Sequence, residues 1–390
     1  MRSRNFFSAA LYQFRLLTLM LVLAPGLAQA LPRPILPIPA APDVGARSYI
    51  LMDYTSGQII ASRAPNERME PASLTKLMSD YVVFNELKKG TLKLDEMVQV
   101  SPTAWRTGGS RMFIEPNKPV KVVDLIQGMN VVSGNDATMA LAERIGGSSE
   151  AFADLMNAYA RMLGMRNTHF MNPTGLPNPD HYTTAYDLSL LARAIIRDFP
   201  QYYSWYSQKS FTYNNIKQPN RNLLLYWDPT VDGMKTGFTD NAKYCLVATA
   251  KRGDMRLISV VLGTESPKAR AQQAQSLLNY GYRFYESRKL YSANQPVSTI
   301  KVWKGSSDKV KIGAAHDYYV LVPRGRGQIS ASVQLNPQVI APVKKYQQLG
   351  TIIVRNGDKV LARIPAVAMQ GVSEGGLIAR TIDTVRLRFQ

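Results

Sequence analysis

The chain has 390 residues, long for one domain and comfortable for two, and 45% of them are hydrophobic, enough to bury a substantial core. Lysine and arginine number 47 against 28 acidic residues; the formal charge of +19 points to an anionic partner such as nucleic acid, a lipid surface or a polyanionic wall. A lone cysteine, Cys245, excludes an internal disulfide, and three histidines (His169, His181, His316) in no metal-ligand spacing speak against a zinc enzyme.

The N-terminus reads as an export signal. Arg2, Arg4 and Arg15 provide a positive flank, an apolar stretch runs from Leu16 to Leu27, and Ala28-Gln29-Ala30 has the form of a cleavage site. The stretch is short for a membrane span, which needs about 20 apolar residues. Cleavage after Ala30 is therefore the expectation, with a retained anchor as the alternative. Export turns the basic charge away from nucleic acid and toward membrane and wall. Five prolines between Leu31 and Asp43 predict an extended leader.

Ser48–Asp53 and Gln58–Ser62, around Thr55-Ser56-Gly57, read as a hairpin. A helix is expected after Pro71, with Leu74, Leu77, Met78, Tyr81 and Phe84 on one stripe and Gly90 as its stop. Helical patterns recur at 122–129, 137–145, 150–163 and 185–196. Thr184 with Asp187 forms an N-terminal cap, which gives Asp187 a structural role. Tyr244–Ala250 and Met255–Gly263, joined by Lys251-Arg252-Gly253-Asp254, read as a second hairpin; Cys245 in its first strand reads as a buried structural thiol. A long amphipathic helix, about 267–286, follows. This order fits an α+β fold, an antiparallel sheet with helices packed on it, and not a βαβ repeat.

From about Tyr291 short Val/Ile runs alternate with Gly, Pro and charge, at 297–303, 309–312, 318–322, 329–335, 350–355 and 359–365. They predict a small all-β domain without a catalytic cluster. In the last segment Leu377, Ile378, Ile382, Val385 and Phe389 share one helical face, with Arg380, Arg386 and Arg388 largely elsewhere. A basic amphipathic helix lying on an anionic membrane surface is the expectation; a frayed tail or a helix packed on its own domain is the alternative. The predicted divisions are a signal over 1–30, a leader over 31–43, a catalytic domain over 44–290, a β-domain over 291–374 and an anchor helix over 375–390.

Three short motifs occur in order: Ser73-Leu74-Thr75-Lys76, Ser133-Gly134-Asn135 and Lys235-Thr236-Gly237. Each alone is common, and a surface turn, a capped loop or an edge-strand start would account for it. Their settings carry more. Ser73 and Lys76, three apart at a helix start, share one face. A serine hydroxyl needs a base, and a lysine serves if burial and a nearby positive charge, for which Lys235 is the candidate, lower its pKa. The helix start also offers a backbone N–H where an oxyanion develops. Ser133 can relay a proton to a leaving amine, and the Asn135 amide can hold a carbonyl and the lysine. Lys235 and Thr236 can bind a terminal carboxylate, Gly237 lets a substrate backbone approach, and the Phe238 N–H can complete an oxyanion hole with that of Ser73. The strand carrying Lys235-Thr236-Gly237 is expected to pair with Met255–Gly263.

These residues resemble active-site serine enzymes of the β-lactamase and penicillin-binding type, and specifically the low-molecular-weight penicillin-binding proteins that are D-alanyl-D-alanine carboxypeptidases. The likeness spans about 46–286 and includes Pro71–Met78, Leu125–Ala137, Gly164–Phe170 and Val231–Gly237. It implies a transpeptidase-like fold with a second, small all-β domain. Ser73 would be the acylated nucleophile, Lys76 the base, and Ser133 and Asn135 the relay and positioning groups. Lys235 and Thr236 would hold the carboxylate, with Arg221 near it; a packing or surface arginine is the other reading of Arg221. The substrates implied are peptidoglycan stem peptides, with β-lactams as inhibitors and no metal or organic cofactor. The place implied is the periplasmic face of the bacterial inner membrane, peripherally held. Phe238 departs from relatives that carry a polar residue there, and Lys243 is a second difference.

Four rival functions stand beside this reading. A class A β-lactamase uses a deacylating Glu after the middle motif, and no Glu occurs between Glu150 and Glu265. An endopeptidase that cuts crosslinks would use the same three motifs. A non-catalytic scaffold sits poorly with all three intact, and a nucleic-acid binder lacks a recognition motif.

Overall fold

The computed structural model describes residues 37–325 and 329–388; the expected signal (1–30), the start of the leader (31–36) and Phe389 lie outside them. β1 (Ser48–Asp53) and β2 (Ile59–Arg63) form a hairpin. The Asp53 carboxylate closes its turn by accepting from the Ser56 N–H at 2.7 Å and the Ser56 hydroxyl at 2.6 Å. α1 (Lys76–Lys89) buries Leu77, Met78, Val82 and Phe84 and stops at Gly90, whose φ of +77° suits glycine. It starts later than the apolar stripe indicates, because Ala72–Thr75 winds as a separate 3-10 turn.

A short ribbon of β3 (Met97–Val98) and β4 (Val120–Lys121), with α2 (Pro102–Arg106) between them, leads into the helical layer. That layer holds α3 (Val122–Val131), α4 (Asn135–Gly146), α5 (Ser149–Met162) and α6 (Ala185–Asp198). Side-chain caps set two of the starts: Ser148 accepts from the Ala151 N–H at 3.1 Å, and Thr184 from the Asp187 N–H at 3.0 Å. Asp187 itself accepts from the Asn167 N–H and the Thr168 hydroxyl, a structural role. The hairpin of β5 (Ser210–Tyr213) and β6 (Ile216–Pro219) and the single turn α7 (Leu224–Trp227) follow. Then come β7 (Val231–Thr239), β8 (Lys243–Arg252), β9 (Met255–Thr264) and α8 (Pro267–Phe284).

The five long strands form one antiparallel sheet in the order β2-β1-β9-β8-β7. The expected pairing of the Lys235-Thr236-Gly237 strand with Met255–Gly263 is therefore wrong. β7 pairs with β8, Thr236 opposite Leu246, and lies at the sheet edge. The tight turn Asp240-Asn241-Ala242 is the cause: the Thr239 hydroxyl accepts from the Ala242 N–H at 2.9 Å and Lys243 takes φ +55°, which folds β7 straight back onto its sequence neighbour.

β8 and β9 are buried on both faces, which explains their nearly continuous apolar sequences. Cys245 and Val247 join the core shared with Leu77, Phe84, Leu125 and Leu141, while Leu246, Ala248 and Ala250 join Ala271, Ala274, Leu277 and Leu278 of α8. The sheet is thus sandwiched between the helical layer and α8. Cys245 is fully buried, and burial pushes its thiol up to about 11.

β10 (Tyr285–Tyr291) continues out of α8 with no intervening loop and pairs with β13 (Tyr318–Pro323). β11 (Pro296–Lys301), β12 (Lys309–Gly313), β14 (Ile329–Leu335), β15 (Gln348–Asn356) and β16 (Lys359–Ala368) form a second sheet, ordered β11-β12-β16-β15-β14. It has an apolar core of its own around Ile312, Val320, Ile352 and Ile364. Gln58 joins the two halves, donating to Leu361 O at 3.1 Å and accepting from the Leu321 N–H at 2.8 Å. α9 (Leu377–Leu387) ends the described chain with no buried residue. Asp383 holds it, accepting from the Lys304 N–H at 2.7 Å, while Leu377 and Ile378 are about 80% exposed. Among the described residues no helix is long and apolar enough to cross a membrane.

Candidate active site

Ser73 lies in the 3-10 turn ahead of α1. Ala72 before it has φ +48°, a left-handed conformation that is costly for a residue with a Cβ. Gly175 supports this turn so closely that a Cβ there would lie 1.8 Å from Ala72 O; only glycine fits. The turn brings Lys76 Nζ to 3.1 Å from Ser73 Oγ. The same nitrogen lies 2.6 Å from both Asn135 Oδ1 and Thr174 O and is fully buried. Burial holds its pKa well below the ordinary lysine value, the charges of Lys235 and Arg221 lower it further, and Asp136 and Asp80 oppose them. A neutral amine next to a hydroxyl is what serine activation requires.

Ser133 sits between α3 and α4 at φ +64°. Its Oγ accepts from Lys235 Nζ at 2.9 Å. Burial first, then Arg221 and Arg270, bring Lys235 down to about 7, against the pull of Asp80. Asp136 anchors this corner. Its buried carboxylate accepts from the N–H groups of Met112 (2.9 Å), Phe113 (2.9 Å), Ile114 (3.2 Å) and Ala137 (2.9 Å). The segment before Met112 is thereby held where Gly108 O accepts from Asn135 Nδ2 at 2.6 Å. Asn135 thus links that segment to Lys76.

The edge strand β7 closes the site from the other side. A Cβ at Gly237 would meet Pro71 O at 3.0 Å and Ala72 Cβ at 3.3 Å, so glycine lets the strand lie directly against the Ser73 turn. Arg270, from α8, is 5% exposed and donates to Gly237 O at 3.1 Å and Arg221 O at 3.3 Å. Arg221 donates to Ser110 Oγ at 2.6 Å. Among the described residues neither arginine has an acidic partner within ion-pair distance. Burial lowers both, Arg270 to about 10. A cleft of about 940 Å³ exposes Ser73, Ser133, Asn135, Arg221, Thr236 and Phe238 to one space. Cationic groups without a protein anion at one end, and a serine beside a buried lysine at the other, suit acyl transfer on a substrate that ends in a carboxylate. No three His, Cys, Asp or Glu side chains converge as a metal site among the described residues.

The family profile described as D-alanyl-D-alanine carboxypeptidase matches residues 37–266. The chain belongs to this family. A second profile, penicillin-binding protein 5, C-terminal domain, matches residues 285–374. D-alanyl-D-alanine carboxypeptidase DacC of Escherichia coli (strain K12) is 44% identical over 359 residues, 90% of this chain and 90% of the relative. The crystal structure of penicillin binding protein 5 from Haemophilus influenzae superposes with a TM-score of 0.84 at 41% identity, covering 86% of this chain and 100% of that one. Penicillin-binding protein D2 from Listeria monocytogenes, solved in an ampicillin-bound form, has a TM-score of 0.58 at 29% identity over 63% of this chain and 100% of its own.

In this D-alanyl-D-alanine carboxypeptidase, a hydrolase by family, all nine candidate residues named from the sequence gather at one cleft and the buried floor beneath it. Four further groups were missed. Arg270 is on the predicted helix but gave no local sign of its target. Asp136 follows the middle motif directly. His181 lies 2.9 Å from Thr75 Oγ1, and burial pushes it down to about 4, so it stays neutral. Asp80, one turn along α1 from Lys76, is fully buried; its carboxylate accepts from the Tyr206 hydroxyl at 2.6 Å, and burial raises it to about 8. The i to i+4 spacing of Lys76 and Asp80 was the available signal.

Proposed function

We propose that Ser73 attacks the carbonyl of a terminal D-alanyl-D-alanine bond in peptidoglycan stem pentapeptides, releasing D-alanine and forming an acyl-enzyme that water then hydrolyses. The observation that carries this reading is the buried Lys76 Nζ, 3.1 Å from Ser73 Oγ and bonded to Asn135. Lys76 takes the hydroxyl proton as the Oγ–C bond forms. Ser133, held by Lys235, passes a proton to the leaving nitrogen. The N–H groups of Ser73 and Phe238 bind the oxyanion. Lys235, Thr236 and Arg221, with Arg270 behind them, hold the substrate carboxylate, and Gly237 admits its backbone.

A β-lactam presents the same carbonyl and carboxylate and acylates Ser73. The catalytic reading covers 44–290. The β-domain, 291–374, is a spacer, and α9 lies on an anionic membrane surface through Leu377, Ile378, Ile382 and Val385. After export and loss of 1–30 the enzyme works peripherally at the periplasmic face of the inner membrane.

The test follows intact mass over time with a penicillin, beside D-alanine release from a pentapeptide, for wild type and Ser73→Ala. A long-lived adduct and D-alanine release in the wild type alone is the expected result. A transient adduct with consumption of the drug would indicate a β-lactamase, and neither adduct nor D-alanine would remove the enzymatic reading. Sedimentation with anionic vesicles checks the anchor: Ile378→Asp weakens binding, and equal binding of wild type and variant would reject it.

A further inference from the structure

β7 alternates its side chains with period two, and this separates two functions. Lys235 and Gly237 face the helical layer, where Lys235 reaches Ser133 and Gly237 meets the Ser73 turn. Thr236 and Phe238 face the α8 side. Their cross-strand partners are Leu246, which packs in the α8 core, and Tyr244. A residue whose carboxylate is held at Thr236 and the arginines therefore lies against Phe238.

The Phe238 ring stacks on Tyr244 with centroids 4.4 Å apart and planes at 31°. The Arg270 guanidinium lies over the same Tyr244 ring at 5.6 Å while donating to Gly237 O. The carboxylate-binding cations and the aromatic pair are thus one continuous surface. Phe238 is 47% exposed and opens into the cleft, which Tyr226 and Leu223 also line. An alanine methyl group covers little of such a surface, and a Phe about half exposed to the cleft leaves room for a longer chain.

We propose that the Phe238–Tyr244 shelf is a subsite for the side chain of the leaving residue and accepts an unbranched aliphatic chain longer than methyl. This rests on the acyl-transfer reading above and extends it. The leaving groups it favours carry a free carboxylate and a long aliphatic chain on the carbon bearing the amine, the chemistry of a D-alanyl crosslink to a diamino acid. The step is otherwise the same. The Ser73 Oγ–C bond forms as the C–N bond breaks, the Ser73 proton ends on the leaving nitrogen, and water then yields the free carboxylate and restores the hydroxyl.

The test compares kcat/KM for two synthetic peptides ending in D-Ala-D-Ala and D-Ala-D-norleucine, with wild type, Phe238→Ser and Phe238→Tyr. The wild type is expected to cleave the norleucine peptide at least as well as the alanine one. The norleucine-to-alanine ratio should fall about ten-fold in Phe238→Ser and be retained in Phe238→Tyr. Formation of a penicillin adduct checks that each variant is folded. A hundred-fold preference of the wild type for alanine, or parallel loss on both peptides in Phe238→Ser, would overturn the subsite and leave D-alanine release standing. Failure of the wild type on both peptides, with no adduct, would overturn both readings.

Discussion

The catalytic half and the β-domain handle charge in opposite ways. Beneath the cleft, Lys76, Lys235, Asp80, Asp136 and Arg270 are all buried, and each either bonds to backbone or crowds another charge. The core of the β-domain is built from Ile312, Val320, Ile352, Val354 and Ile364, and the Lys289–Asp317 ion pair at its border with the catalytic half stays in water. Burying a charge costs several kcal/mol unless it is well partnered. The first half therefore holds chemistry at the expense of stability, whereas the second is a packed sheet with no titratable side chain buried in its core among the described residues. Breaking a group in one half should register in rate, and in the other only in stability.

The largest effect expected is that of Ser73→Ala, which should lower D-alanine release at least about a thousand-fold with little change in Tm; a stopped assay with a melting curve checks both. Asp136→Ala is expected to cross the divide. It strands the N–H groups of Met112, Phe113 and Ile114, should cost about 3 kcal/mol in urea unfolding, and should also reduce kcat/KM because Asn135 loses its support at Gly108 O. Ile352→Ala sharpens the contrast from the other side: about 2–4 kcal/mol of the β-domain's stability is lost, while kcat/KM stays within two-fold of wild type.

The smallest effect concerns pH. A carboxyl whose folded pKa is raised, as for Asp80 at about 8, favours the folded state while protonated. Its contribution is intact below the unfolded value of 3.8 and fades as pH rises through about 8. Asp80→Asn is therefore expected to raise Tm relative to wild type more at pH 9 than at pH 5. Parallel melting profiles across that range would reject the assignment of this burial cost to Asp80.

What the sequence disclosed was mostly what neighbours along the chain decide. Ser73 and Lys76 are one turn apart, Thr184 caps its own helix, and Gly90 stops one, so spacing alone revealed them. The alternation of β-runs after Tyr291 exposed the second sheet for the same reason. What stayed hidden depends on distant partners. Arg270 looks like any basic residue on an amphipathic helix until Gly237, 33 positions away, is brought beneath it. β7 had two apolar runs to choose between, and a three-residue turn decided the matter against the expectation. β5, β6 and α7 are too short, at four residues each, to carry a periodic signal. Phe238 was visible as an unusual residue, but its stacking on Tyr244 depends on the β7–β8 register, which the sequence did not disclose.

The passage from α8 into β10 without a loop has a mechanical consequence. A joint with no loop, braced by Gln58 on both Leu361 and Leu321, would let the β-domain act as a ruler. Were α9 to rest on a lipid surface, as proposed, the serine would be carried at a set height and would sweep a thin shell of polymer parallel to the bilayer. Its encounters with substrate would then be governed by two-dimensional diffusion along that shell, and the local concentration it met would be that of stem peptides at one altitude rather than their average through the wall.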